Sequence, residues 1–169
     1  MPFDRLVCAV DKWCAENKRN DVVGQIADPG PGGYRPQHFE WTSFLEPDQI
    51  KTRFEEADLI VAHAGMGSII SALTMAKPIL IMPRRAAFSE TRNDHQVATA
   101  EHLGKRPGIQ VAQTEAEVGP ELDRLIQWAK QSEIIQPSPF ADDLLIDTLR
   151  SFIVDGEGTG PTNDNNSGS

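Results

Sequence analysis

The chain has 169 residues, enough for one domain with a sizeable core. Its formal net charge of −9 argues against a general nucleic-acid binder, which needs a positive face to displace phosphate counterions. No apolar run approaches the roughly 18 residues of a membrane span, and no secretory signal is visible at the start.

Phe3, Leu6, Val7, Val10, Trp13 and Cys14 recur at helical spacing among charged residues, which predicts an opening amphipathic helix. Cys8 and Cys14 fall in it and read as reduced packing residues; they have no histidine at metal-ligand spacing, and no metal site is expected. Asp21–Ala27 reads as a short buried strand, "DPGPGGYRP" as a Pro/Gly loop and His38–Leu45 as a second strand. A helix over Glu46–Ala57 places Pro47 in its first turn. Then come a strand (Asp58–Ala62), a helix (Gly67–Ala76), a strand (Pro78–Met82) and the polar loop "RRAAFSETRN". Asp94–Leu103 is helical and ends at Gly104, and Gly108–Ala112 is a strand. Thr114 and Glu117 suit a capping box, while Pro120 predicts a break and a restart. Ser138 caps a last predicted helix, and residues 155–169, without an apolar anchor, read as a disordered tail behind a domain spanning 1–154.

Short apolar strands alternating with helices predict an α/β fold, a doubly wound parallel sheet. Such folds normally open on a strand, whereas this chain opens inside a helix, so the first strand reads as lost. In the usual order it would lie centrally, and its loss would leave two facing unpaired edges.

The segment "VAHAGMGS" carries the chemistry. It lies where a strand hands over to a helix, the end of the sheet at which open α/β folds bind ligands. Glycine lets backbone approach a ligand closely, and the helix start presents unpaired N–H groups at its positive end. His63, Gly65, Gly67 and Ser68 are therefore candidates for a diphosphate site; a simple tight turn is the bland alternative. Residues 65, 67 and 70 read Gly, Gly, Ile, which fits neither the dinucleotide fingerprint nor the Walker loop.

"PFDRLVCAVDKW", "ADLIVAHAGMGSIISALTMAKPILIMPR" and "NDHQVATAEHL" together resemble the donor-binding half of GT-B glycosyltransferases of the family 28 C-terminal type. The likeness is greatest to small single-domain members, the PssE-like and Alg13-like catalytic subunits, and covers roughly residues 2–103. The resemblance implies an inverting hexosyltransferase that moves a sugar from a UDP-sugar to a lipid-linked acceptor in polysaccharide or glycan biosynthesis. It implies a cytoplasmic protein, peripheral to the membrane through an Alg14- or PssD-like membrane-anchored subunit that holds the acceptor. No cofactor is implied, since the UDP-sugar is a substrate. By position, Asn93, Asp94, His95 and Gln96 would face the donor sugar, and Phe44 and Leu45 would lie near the uracil. Ser71 stands where many relatives carry a glutamate that grips the ribose; a hydroxyl gives one weaker hydrogen bond there. That departure and the lost strand support a rival reading, a catalytically silent nucleotide-sugar-binding module. A third reading, a UDP-sugar epimerase on the same half-fold, needs catalytic carboxylates in a companion domain. No general base can be named, and the catalytic residues stay open.

Overall fold

A computed structural model describes residues 2–132. The elements run α1 (Asp4–Asn17), β1 (Val23–Gln25), β2 (Glu40–Thr42), α2 (Pro47–Glu56), β3 (Ile60–His63), α3 (Met66–Thr74) and β4 (Ile79–Met82). A 3-10 turn (Ala86–Phe88), α4 (His95–Leu103), β5 (Ile109–Val111) and α5 (Glu115–Ser132) follow. The helix expected from Ser138 and the tail expected from Asp155 lie outside the described residues.

Helix α1 buries Leu6, Val10, Trp13 and Cys14 on one stripe. Cys8, expected to pack, is exposed, because six positions on a helix carry it about 120° away from Cys14. Burial pushes the Cys14 thiol up to about 11, with Asp11 adding to the shift. The α1 stripe packs on Val118, Leu122 and Leu125 of α5, and the indole of Trp13 donates to Asp123 at 3.0 Å.

Helix α5 runs unbroken through Pro120, against the expected restart. Proline disfavours a helical predecessor because its ring meets that residue's Cβ. The predecessor here is Gly119, which has none, and a Cβ there would also approach the Trp13 ring at 3.4 Å. One backbone bond is then lost, to Ala116 in the first turn, where the residue is exposed and water can replace it.

All strand pairs are parallel, as the alternation of elements requires. Their hydrogen bonds form two sheets: β1 with β2, and β3–β4–β5 with β4 central. Among the described residues, the second edge of β1 and that of β3 carry no strand. Leu80 and Met82 of β4 join the cluster under α1 and α5. Ile79 and Ile81, equally inaccessible, alternate to the other face, so β4 is covered on both sides. The Asp21–Ala27 segment, expected to be a buried strand, is shorter and half open. Val23 is 46% exposed, and only the Gly24 side is covered, by the Phe39 ring. A two-stranded sheet has no central strand to hide.

This difference is measurable by hydrogen exchange. The β4 amides, flanked by strands on both sides and fully buried, are expected to exchange slowest, and those of β1 and β2 orders of magnitude faster. Equal protection of the two sheets would contradict this account.

Candidate functional site

Strand β3 ends at His63, and α3 starts three residues later. Gly65 caps the helix in extended backbone (φ −93°, ψ 136°), so Met66, Gly67 and Ser68 are its first three residues; the expected start at Gly67 moves forward by one. The first α-helical bond runs from the Ile69 amide to the Gly65 carbonyl at 3.3 Å. The amides of residues 66–68 precede it and have no intrahelical acceptor. No side chain caps the tip. Gly67 is exposed, and a Cβ built on it would meet nothing within 4 Å. The tip is therefore open to an outside ligand.

Gly65 serves a different purpose. A Cβ there would lie 2.1 Å from Cε1 of His63 and 2.6 Å from its Nδ1. The imidazole folds back onto the helix cap, and only a glycine leaves room for it. Nδ1 of His63 is buried without a hydrogen-bond partner. Burial pushes the imidazole's pKa down and the nearby Arg84 charge pushes the same way, while a hydrogen bond with the Gln96 side chain opposes both. The net direction is down, so His63 is neutral at neutral pH.

Gln96 joins two parts of the site. Besides its bond with His63, its Oε1 accepts from the Arg84 amide at 3.1 Å. Asp94, also expected to face a sugar, accepts from the Ala86 amide at 2.8 Å. Both side chains thus brace the turn after β4, which places the start of α4 beside the end of β3. Asn93 and His95 are exposed. Ser68 and Ser71 are half-buried on α3. Phe44 is 64% exposed, and Leu45 borders a shallow groove of about 360 Å³ along α2 with Asp48, Gln49, Thr52, Arg53 and Glu56. None of the residues 63–68 lines that groove.

The chain matches the family described as "Glycosyltransferase family 28 C-terminal domain" over residues 7–140. It belongs to that family. Curated relatives are named "UDP-N-acetylglucosamine transferase subunit ALG13". The Debaryomyces hansenii protein is 30% identical over 102 residues, covering 58% of this chain and 46% of the relative. The Homo sapiens protein is 31% identical over 91 residues, covering 51% and 7%. The chain thus spans less than half the length of these relatives. A solved structure described as the glycotransferase of kitacinnamycin superposes with a TM-score of 0.50 at 18% identity, covering 89% of this chain and 35% of that one. The likeness shows the fold, that of a GT-B glycosyltransferase half.

In this family 28 domain, sequence reasoning missed the residues that hold the loops around the turn. Arg5 clamps Glu90 through Nε and Nη2 at 2.7 and 2.8 Å, and Glu90 also accepts from the Arg85 amide at 3.0 Å. The "RRAAFSETRN" loop is therefore tied to α1 by a bidentate, mostly buried pair. The available signal was a lone acid in a basic loop, which does not reveal its partner 85 positions away.

Proposed function

We propose that this domain is the donor-binding subunit of a two-component glycosyltransferase, which moves a hexose from a UDP-sugar to a lipid-linked acceptor with inversion. The observation that carries the reading is the open helix tip at Met66–Ser68, set beside a histidine with an unpartnered nitrogen. Amides at a helix start and an imidazole are donors for diphosphate oxygens, and a departing UDP needs such fixed donors as its charge develops. Family membership and relatives named as UDP-N-acetylglucosamine transferase subunits support the same reading. His63, Gly65, Gly67 and Ser68 take the diphosphate; Asn93 and His95, with Gln96 and Asp94 behind them, face the sugar; Ser71 approaches the ribose. No helix of the described residues is long and apolar enough to cross a membrane. Attachment to a membrane then falls to the Alg14- or PssD-like partner, which supplies the acceptor site and the general base. Ser71 in place of an acid favours the second reading, a nucleotide-sugar-binding module without transfer activity. A transfer assay with the partner separates the two.

The binding step is tested by calorimetric titration of UDP, for which a Kd roughly between 1 μM and 1 mM is expected. Gly67→Asp projects a carboxylate from the second helical position into open space. There an acid favours the helix and replaces a poor helix former, so the fold keeps or gains stability. The same charge meets the diphosphate, and UDP affinity is expected to fall by at least about tenfold. A folded Gly67→Asp protein that still binds UDP normally refutes the assignment.

A further inference from the structure

Arg5 stands in the first turn of α1, and each nitrogen of its guanidinium has a partner within the protein. Nε donates to Oε1 of Glu90 at 2.7 Å and Nη2 to Oε2 at 2.8 Å. Nη2 also reaches the Pro83 carbonyl at 3.4 Å, and Nη1 pairs with Glu115 at the start of α5 at 3.4 Å. The Phe88 and Phe3 rings lie 4.4 and 5.6 Å from Cζ. The side chain is 15% exposed and that of Glu90 7%. A guanidinium so enclosed is built to hold its neighbours in place.

It holds the loop after β4 by both ends. Pro83 begins that loop, and Glu90 closes it behind the 3-10 turn. Between them Ser89 has φ 56°, a left-handed conformation that a residue with a Cβ keeps only where its surroundings impose it. Oε2 of Glu90 turns back to accept from the Arg85 amide at 3.0 Å. Arg5 thus bears directly on residue 83 and, through Glu90, on residue 85, the two neighbours of Arg84. Peptide units are planar, so fixing both neighbours leaves the Arg84 N–H little freedom. That N–H donates to Oε1 of Gln96 at 3.1 Å, and Gln96 also bonds His63. The contacts therefore run without a gap from α1 to the histidine beside the open helix tip.

We propose that Arg5 is a positioning residue for the donor site: through Glu90 and the Arg84 amide it sets Gln96, and Gln96 sets the His63 ring beside the helix tip. This role rests on the donor-binding reading above and deepens it by naming what holds its histidine. The planar fork is the working part. Two parallel bonds fix the Glu90 carboxylate in angle as well as distance, which the point charge of a lysine does not.

Calorimetric titration of UDP into the full chain gives one readout. The imidazole NMR signal of His63, identified by its loss in His63→Ala, gives the other. The variants are Arg5→Lys, Gln96→Ala and the two combined, with Glu90→Gln in place of Arg5→Lys where that protein is unfolded at the titration temperature. Val118→Ala, a core change in α5, measures what lost stability alone does. Arg5→Lys is expected to weaken UDP by about fivefold or more and to shift the His63 signal in the free protein. Gln96→Ala should do the same, and adding Arg5→Lys to it should weaken UDP by no more than about a further twofold, since the route is already cut. Val118→Ala should bind UDP within about twofold of wild type. The positioning role is overturned if Arg5→Lys leaves either readout at its wild-type value, or if its full effect persists beside Gln96→Ala. It is overturned too if Val118→Ala weakens UDP as much as Arg5→Lys does. A wild type that does not bind UDP sinks the donor-binding reading instead. The His63 signal then decides the link from Arg5 by itself: a shift in Arg5→Lys that disappears beside Gln96→Ala upholds it, and any other result ends it.

Discussion

Replacing Gly65 by alanine is expected to destabilise the domain by about 1–3 kcal/mol and to abolish UDP binding, whereas Gly67→Ala leaves the fold intact or gains up to about 1 kcal/mol. The two glycines stand two residues apart and differ in what surrounds them. Gly65 has ordinary extended backbone, which alanine adopts without strain, so the whole penalty comes from its neighbour. The new Cβ would overlap the His63 ring at 2.1 Å, and the ring must swing out of the position it holds beside Gln96 and the helix tip. Around Gly67 there is nothing within 4 Å to displace. A double-mutant cycle isolates the cause. In a His63→Ala background the ring is gone, and Gly65→Ala should become nearly neutral, with a coupling of about 1–3 kcal/mol. An unchanged penalty in that background would place the strain elsewhere and remove the reason for a glycine before the helix.

That contrast also shows what a sequence reveals. The apolar runs of β3 and β4 and the stripe of α1 follow from periodicity alone, because burial on one or both faces is written residue by residue. The turn "HAGMGS" was legible as a candidate ligand site because strand end, glycines and helix start coincide in a few positions. The separate duties of Gly65 and Gly67 were not legible, since they depend on where a histidine ring folds. Gln96 and Asp94 illustrate the same limit. The family resemblance implied sugar contacts for them, but the structure shows them first as acceptors for the amides of Arg84 and Ala86. Pro120 read as a helix break because proline is judged alone, whereas Gly119 beside it removes the obstructing Cβ. The division of the strands into two sheets depends on hydrogen-bond partners, which alternation cannot name.

Asp11→Ala is expected to lower stability by about 3 kcal/mol, one of the largest effects available in this domain. On α1 this aspartate reads as one more polar residue between Val10 and Lys12, yet it is 1% exposed. The Pro/Gly loop folds over it. The Tyr34 hydroxyl donates to its Oδ2 at 2.7 Å, and the amides of Gln37 and His38 donate to its Oδ1 at 3.0 and 2.7 Å. The His38 ring adds a 3.2 Å contact from its half-exposed position. Burial pushes the carboxyl's pKa up, but the bonds from Tyr34, His38 and Gln37 together outweigh it and hold the pKa below the usual carboxylate range. A group whose folded pKa is depressed contributes stability that is fully present above its unfolded value of about 3.9 and is lost as pH falls through the folded value. Thermal melts of wild type and Asp11→Ala should therefore differ most at neutral pH and converge at the acid end. His38→Ala, which removes a water-exposed partner, should cost about 1 kcal/mol or less. If the gap between wild type and Asp11→Ala were constant from pH 7 to about pH 2, ionisation of this carboxylate would not be what fastens the loop to the helix.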